Sequence, residues 1–174
     1  MISQENPSLW QDQLYDSLRR HGITLFSYVP DAGHAIIINR SLNDSNATSV
    51  PLTTEEEGVA LLAGAHLGDK RGVLLMQSSG VGNCINMLSL IAIGRFPFVT
   101  VISMRGDFGE QNPWQFPMGQ GTQPCLEAMG TRCYRVETSS EVAPTVDAAT
   151  GMAYRSDQSV AILLSQRLIG AKKF

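Results

Sequence analysis

Four short apolar runs constrain this chain more than any other feature: "ITLFSYV" at 23–29, "GVLLMQ" at 72–77, "FVTVIS" at 98–103 and "SVAILLS" at 159–165. Each is rich in β-branched and large aliphatic residues. None alternates with polar residues as a strand with one wet face would, so each reads as a strand covered on both sides. Two weaker runs, 49–53 and "CYRVE" at 133–137, complete a set of about six strands. Helical spacing fills the gaps between them. Trp10, Leu14 and Leu18 recur every four residues between a start at Pro7 and Ser8 and a stop at Gly22. Further helices are expected at 34–39, 55–67 and 83–93 (with Asn83 as N-cap), from Thr122 with Pro124 in its first turn to Gly130, and at 140–154. Strands that alternate with helices predict an α/β fold: a single three-layer domain over 1–174, its mostly parallel sheet flanked by helices on both faces.

Composition removes several classes of function. The 174 residues are 43% hydrophobic and 17% charged, the profile of a globular chain. A net charge of -3, with no basic cluster beyond Lys172 and Lys173, leaves no field for nucleic acid. No apolar stretch approaches the roughly 20 residues that cross a bilayer. The N-terminal "MISQENPSLW" lacks the charged and apolar regions of a secretory signal, so a cytoplasmic protein is expected. Cys84, Cys125 and Cys133 have no paired spacing and read as buried free thiols.

Parallel α/β sheets bind ligands at the carboxyl ends of their strands. That rule selects Asp31, Glu55, the turn "SSGVGN" at 78–83, and Met104, Arg105 and Gly106. The turn lacks the Lys of a phosphate-binding loop and the third glycine of a dinucleotide fingerprint, and a tight turn needing glycine accounts for it equally. Glu55, Glu56 and Glu57 suit the positive end of the helix dipole, with Thr54 as N-cap. Asp31 after Val-Pro suits a capped turn. The stretch 104–121 has no period, as functional loops often do not.

Taken together, "VPDAGH" at 29–34, "EEEGVALLAGAHL" at 55–67, "LLMQSSGVGN" at 74–83, "FPFVTVISMRGD" at 96–107 and "NPWQFPMGQGTQPCLEAMG" at 112–130 cover almost the whole chain. They resemble the pyrimidine-binding domain of thiamine-diphosphate enzymes. Within that superfamily the chain is most similar to the separate alpha subunits of sulfopyruvate decarboxylase and the corresponding half of phosphonopyruvate decarboxylase. The resemblance implies a decarboxylase of 3-sulfopyruvate or 3-phosphonopyruvate that releases CO2 and an aldehyde. In the superfamily one glutamate contacts N1' of the cofactor's aminopyrimidine and favours its imino tautomer, so that thiazolium C2 loses its proton and adds to the keto carbon of a 2-oxo acid. Glu55, nine positions before Gly64, matches that glutamate, and Glu56 is the fallback. Glu57 is then a solvated side chain.

By the same resemblance Asp31 moves protons, and His34 is a second proton carrier or a structural residue. Gln77, Ser78, Ser79, Gly80 and Asn83 line the cofactor pocket or build its turn. Arg105 receives the sulfonate or phosphonate, or else pairs with Asp107. These enzymes hold the diphosphate through a metal ion on a Gly-Asp-Gly element in another domain, and the "GDF" at 106–108 does not supply it. The resemblance therefore implies a diphosphate-binding beta subunit that holds most of the thiamine diphosphate and Mg2+, in an alpha2beta2 or larger assembly. A subunit that keeps this fold for structure or regulation alone is the alternative, and a flavodoxin-like nucleotide-binding module ranks behind it.

Overall fold

The computed structural model describes residues 9–171, so Pro7, Ser8, Lys172 and Lys173 fall outside it. In chain order the elements are α1 (Trp10–Arg20), β1 (Ile23–Tyr28), α2 (Ala35–Asn43), β2 (Thr48–Pro51), α3 (Glu55–Leu67), β3 (Arg71–Gln77) and α4 (Val81–Cys84). There follow α5 (Leu88–Gly94), β4 (Phe98–Ser103), α6 (Phe116–Ala128), β5 (Arg132–Val136), α7 (Ser139–Ser156), β6 (Ser159–Leu164) and α8 (Gln166–Ile169). The six strands form one sheet in the order β2-β1-β3-β4-β6-β5, and every pairing in it is parallel.

Strand side chains alternate between two cores, as period-two geometry requires. Val73, Leu75, Val99, Val101, Val160 and Ile162 face α1, α2 and α7, where Leu14, Leu18, Ile37, Val142 and Val146 meet them. Leu74, Met76, Phe98, Ile102, Ala161 and Leu163 face Val59, Leu62, Cys84, Leu88, Ile91 and Leu126 on α3 to α6. Each fully buried leucine or valine contributes about 1.5 to 3 kcal/mol relative to exposure. The two cores explain the unbroken apolar runs: a residue on either face of these strands meets a helix.

The helix limits differ from expectation where local signals competed. Helix α6 begins at Phe116, with Pro117 rather than Pro124 in its first turn. Pro124 sits inside the helix, where it removes one N–H from the ladder. The expected helix over 83–93 is two pieces, α4 and α5, and Asn83 caps neither. Helix α2 extends to Asn43 through residues expected to be loop. Thr138 and Glu141 form a capping box that starts α7 at Ser139.

All three cysteines are free; Cys84 is buried and the other two are half-buried. Burial, then Glu55 and Glu56, push the Cys84 thiol up to about 12, which makes it a packing residue at neutral pH. Among the described residues no helix is long and apolar enough to cross a membrane.

Candidate functional site

From β1 the chain passes to β2 on one side and to β3 on the other, so the crevice between the carboxyl ends of β1 and β3 is the topological switch point. Asp31 lies just past β1, and Gln77 ends β3 in register with Ser103, the last residue of β4. Paired positions share a face, so both side chains reach Asp31. The Gln77 Nε2 donates to Asp31 Oδ1 at 3.1 Å, and the Ser103 Oγ donates to Asp31 Oδ2 at 2.6 Å. The same Oδ2 accepts the Gly33 N–H at 3.0 Å, closing a single 3-10 turn over Ala32–His34. Asp31 thus caps the turn while its carboxylate sits at the carboxyl edge of the sheet. Burial works to raise its pKa, but the Ser103 hydroxyl, the neighbouring His34, the Gln77 amide and the Gly33 N–H outweigh burial and hold it below the ordinary value.

His34 is fully buried, and its Nε2 lies 3.0 Å from the Met76 carbonyl. A carbonyl only accepts, so Nε2 carries a proton, and among the described residues Nδ1 has no partner. Burial lowers its pKa against the opposing pulls of Asp31 and Met76. The geometry gives His34 a bracing role, its imidazole tying the turn after β1 to β3.

The three glutamates divide their work. Glu57 accepts the Thr53 N–H at 2.8 Å, whereas Thr54 has an extended backbone but makes no side-chain cap. Glu56 is exposed. Glu55 turns inward and is only 9% exposed. Its Oε2 accepts the Asn83 Nδ2 at 2.8 Å, and a Cβ added to Gly80 would lie 2.3 Å from its Oε1. Glycine at position 80 is therefore what lets the carboxylate settle over the turn after β3. Among the described residues no hydrogen bond reaches Oε1. Oε1 is not among the fully buried unpartnered atoms, so this oxygen of an otherwise enclosed carboxylate remains open to a ligand.

The rest of the turn divides between building the loop and lining a cleft. Ser78 is buried, its hydroxyl accepting the Arg105 N–H at 3.0 Å and its carbonyl accepting the Thr122 hydroxyl at 3.3 Å. Ser79 donates to Gln77 Oε1 at 2.8 Å, so the Gln77 amide is spent on Ser79 and Asp31. Ser79, Gly82 and Asn83 line a cleft of about 620 Å³ walled by Pro113, Trp114, Pro117 and Met118. Trp114 is 82% exposed at its mouth.

Arg105 does not pair with Asp107. Its Nε and Nη2 donate to the two Glu110 oxygens at 2.6 and 2.8 Å, a bidentate pair. Glu110 also accepts N–H groups of Gly106, Gln111 and Asn112 and the Gln166 amide. The Arg105 hydrogen bond, first among these, holds the Glu110 carboxyl far below its ordinary value. Asp107 instead takes Arg135, the Ser165 hydroxyl and the Gln166 N–H. Gly106, at φ +64, must be glycine, since a Cβ would strike the Gln115 carbonyl. Arg105 also lines a cavity of about 200 Å³ beside Asp31, Gly33 and Ser103. Its Nη1 has no hydrogen bond from the described residues.

Glu55 with Asn83, and Asp31 with Gln77, are thus brought together across the sheet edge, while Glu56 stays outside. Sequence reasoning missed Ser103, Glu110 and Gln166. Ser103 left a faint signal, a polar residue ending an apolar run at a carboxyl end, but Glu110 left none beyond its charge in an unpatterned loop.

No family model matches the sequence. The chain is 34% identical over 154 residues to the alpha subunit of sulfopyruvate decarboxylase of Methanococcus maripaludis, covering 88% of this chain and 92% of that one. The corresponding subunit of Methanocaldococcus jannaschii is 34% identical over 86% of this chain and 89% of its own length. Phosphonopyruvate decarboxylase of Streptomyces viridochromogenes is 36% identical over 61% of this chain and 27% of its own. Among solved structures, 2-oxoglutarate:ferredoxin oxidoreductase from Magnetococcus marinus superposes with a TM-score of 0.69 at 17% identity, over 89% of this chain and 28% of that one. A protein from Mycobacterium smegmatis described as a thiamin diphosphate-dependent enzyme gives 0.68 at 16% identity, over 95% of this chain and 33% of that one. These two show the shared fold. At 34% identity across 92% of a curated alpha subunit, the chain belongs to the sulfopyruvate decarboxylase alpha-subunit family.

Proposed function

We propose that this chain is the pyrimidine-side alpha subunit of a thiamine-diphosphate-dependent decarboxylase that converts 3-sulfopyruvate or 3-phosphonopyruvate to the corresponding aldehyde and CO2. The observation that carries this is Glu55: a nearly buried carboxylate, held at Oε2 by Asn83 and seated over Gly80, with no hydrogen bond to Oε1 among the described residues. The residues fit the aminopyrimidine of the cofactor. Oε1 of Glu55 would hold a proton at the ring nitrogen, as a neutral amide in its place would not. Asn83 would keep that oxygen aimed, while Ser79 and the apolar wall of the cleft that Asn83 also lines would exclude water from the ring. When bound, the cofactor supplies the carbon nucleophile and the electron sink for decarboxylation.

Asp31 is the proton-moving carboxylate on the substrate side. Arg105, with Nε and Nη2 tied to Glu110, offers Nη1 to the anionic group of the acid. The alpha-subunit names of the relatives support a second chain, to which we assign the diphosphate, Mg2+ and the remainder of the cofactor site, in an alpha2beta2 or larger cytoplasmic assembly.

The test measures CO2 release from each acid by the chain alone and with its beta subunit, during titration with thiamine diphosphate and Mg2+. Turnover is expected only in the complex, and Glu55→Gln should cut it by orders of magnitude. Turnover by the isolated chain would refute the divided site. A complex that tolerates Glu55→Gln would leave the structural-subunit alternative.

A further inference from the structure

Ser103 closes β4 with its side chain 1% exposed and its hydroxyl 2.6 Å from Asp31 Oδ2. The approach is that close because of Gly33: a Cβ there would lie 2.8 Å from Asp31 Oδ2 and 2.8 Å from Ser103 Cβ. Backbone register adds a second constraint, since Gln77 and Ser103 are paired across β3 and β4 and so converge on the two oxygens of one carboxylate. Among the described residues, the groups that hydrogen-bond to the Asp31 carboxylate, the Ser103 O–H, the Gln77 amide N–H and the Gly33 N–H, are all donors. Donors of this kind favour the ionised carboxylate.

The charged and titratable groups that face Asp31 are few. On its own turn stands His34, fully buried, with its pKa lowered by burial against the pull of Asp31, and past β4 stands Arg105, already paired with Glu110. Ile169, the last residue of α8, and Gly170 after it line the same cavity without charge.

We propose that Ser103 is a positioning residue of this site: its buried hydroxyl fixes Asp31 as an ionised carboxylate with one oxygen pinned, in space that only a glycine at position 33 leaves. The functional weight of this arrangement rests on the proton-moving role assigned to Asp31 above. The arrangement itself does not, and the two are separable by experiment.

In the full-length chain, the Asp31 carboxyl is titrated by carbon-13 NMR and assigned by its disappearance in Asp31→Asn. A hydrogen bond to a charged group is strong enough that Ser103→Ala should move the Asp31 midpoint upward by about one to two pH units. Gly33→Ala keeps the hydroxyl but forces the pair apart, and should move it in the same direction. An Asp31 midpoint unmoved by both substitutions overturns the proposal. CO2 release by the complex is then followed against pH. If the acid limb rises with the NMR midpoint, Ser103 acts on catalysis through Asp31. If the midpoint moves while the rate profile stays in place, Ser103 still positions Asp31 and the catalytic role of Asp31 is what fails.

Discussion

Replacing Gly80 by alanine tests the placement of Glu55 without touching its chemistry. The new methyl would lie 2.3 Å from Oε1, 2.4 Å from Cδ and 2.6 Å from Cγ of Glu55, whereas ordinary contact begins at 3.4 Å. The carboxylate must therefore retreat by about 1.1 Å, the difference between 3.4 and 2.3 Å. Its flexible side chain can do so, but only by leaving the Asn83 amide or the turn. Misplacement on the order of 1 Å costs about 100-fold in rate where geometry is critical. The fold should bear the change: Gly80 has φ -72 and ψ -20, which alanine adopts freely. The gain of about 0.4 to 1 kcal/mol from a less flexible unfolded chain offsets part of an overpacking cost of about 1 to 3 kcal/mol. The assay is kcat for CO2 release by the complex, alongside a urea melt of the same sample. A folded Gly80→Ala complex within about threefold of the parent kcat would refute the reasoning that an inward, enclosed Glu55 is what the site needs.

Two further substitutions test the frame around the site. Glu110→Gln removes the charge that five neighbouring residues address, and should cost about 2 to 3 kcal/mol at pH 7 by urea denaturation, near the low end for breaking a buried pair. The Glu110 pKa is depressed by folding, so its contribution is complete above the ordinary carboxyl value of 4.5 and drains as pH falls toward the folded value. The parent should therefore lose stability more steeply than the variant between about pH 5 and 3. Tyr154→Phe deletes a hydroxyl that donates to the Gly72 carbonyl at 2.8 Å and accepts its N–H at 2.9 Å, completing the start of β3. Burial pushes this phenol up to about 12, so it stays neutral throughout the stable range. Its loss should cost about 1 to 3 kcal/mol in a thermal or urea melt.

Signals that are local were legible and signals that depend on competition were not. The run Phe98–Ser103 reads as a doubly covered strand from its residues alone, and every residue of β4 is buried. Pro124 was a misleading start signal because Pro117 lies seven residues earlier and either satisfies the preference for proline in a first turn. Asn83 has the chemistry of a cap, but the Glu55 carboxylate across the turn offers its amide a better partner. Arg105 had two acidic candidates within five residues, and only the fold of the loop decided between Asp107 and Glu110.

Apolar spacing alone established the alternation of strands and helices, and strand direction then set which loop ends share an edge, because both follow from backbone geometry within a few residues. Which of three adjacent glutamates turns inward, and which hydroxyl meets Asp31, was decided by contacts between segments 25 to 72 residues apart, such as Gly80 under Glu55 and Ser103 beside Asp31. Such contacts depend on strand register and on the space a missing Cβ leaves, and neither is written in the local pattern that precedes it.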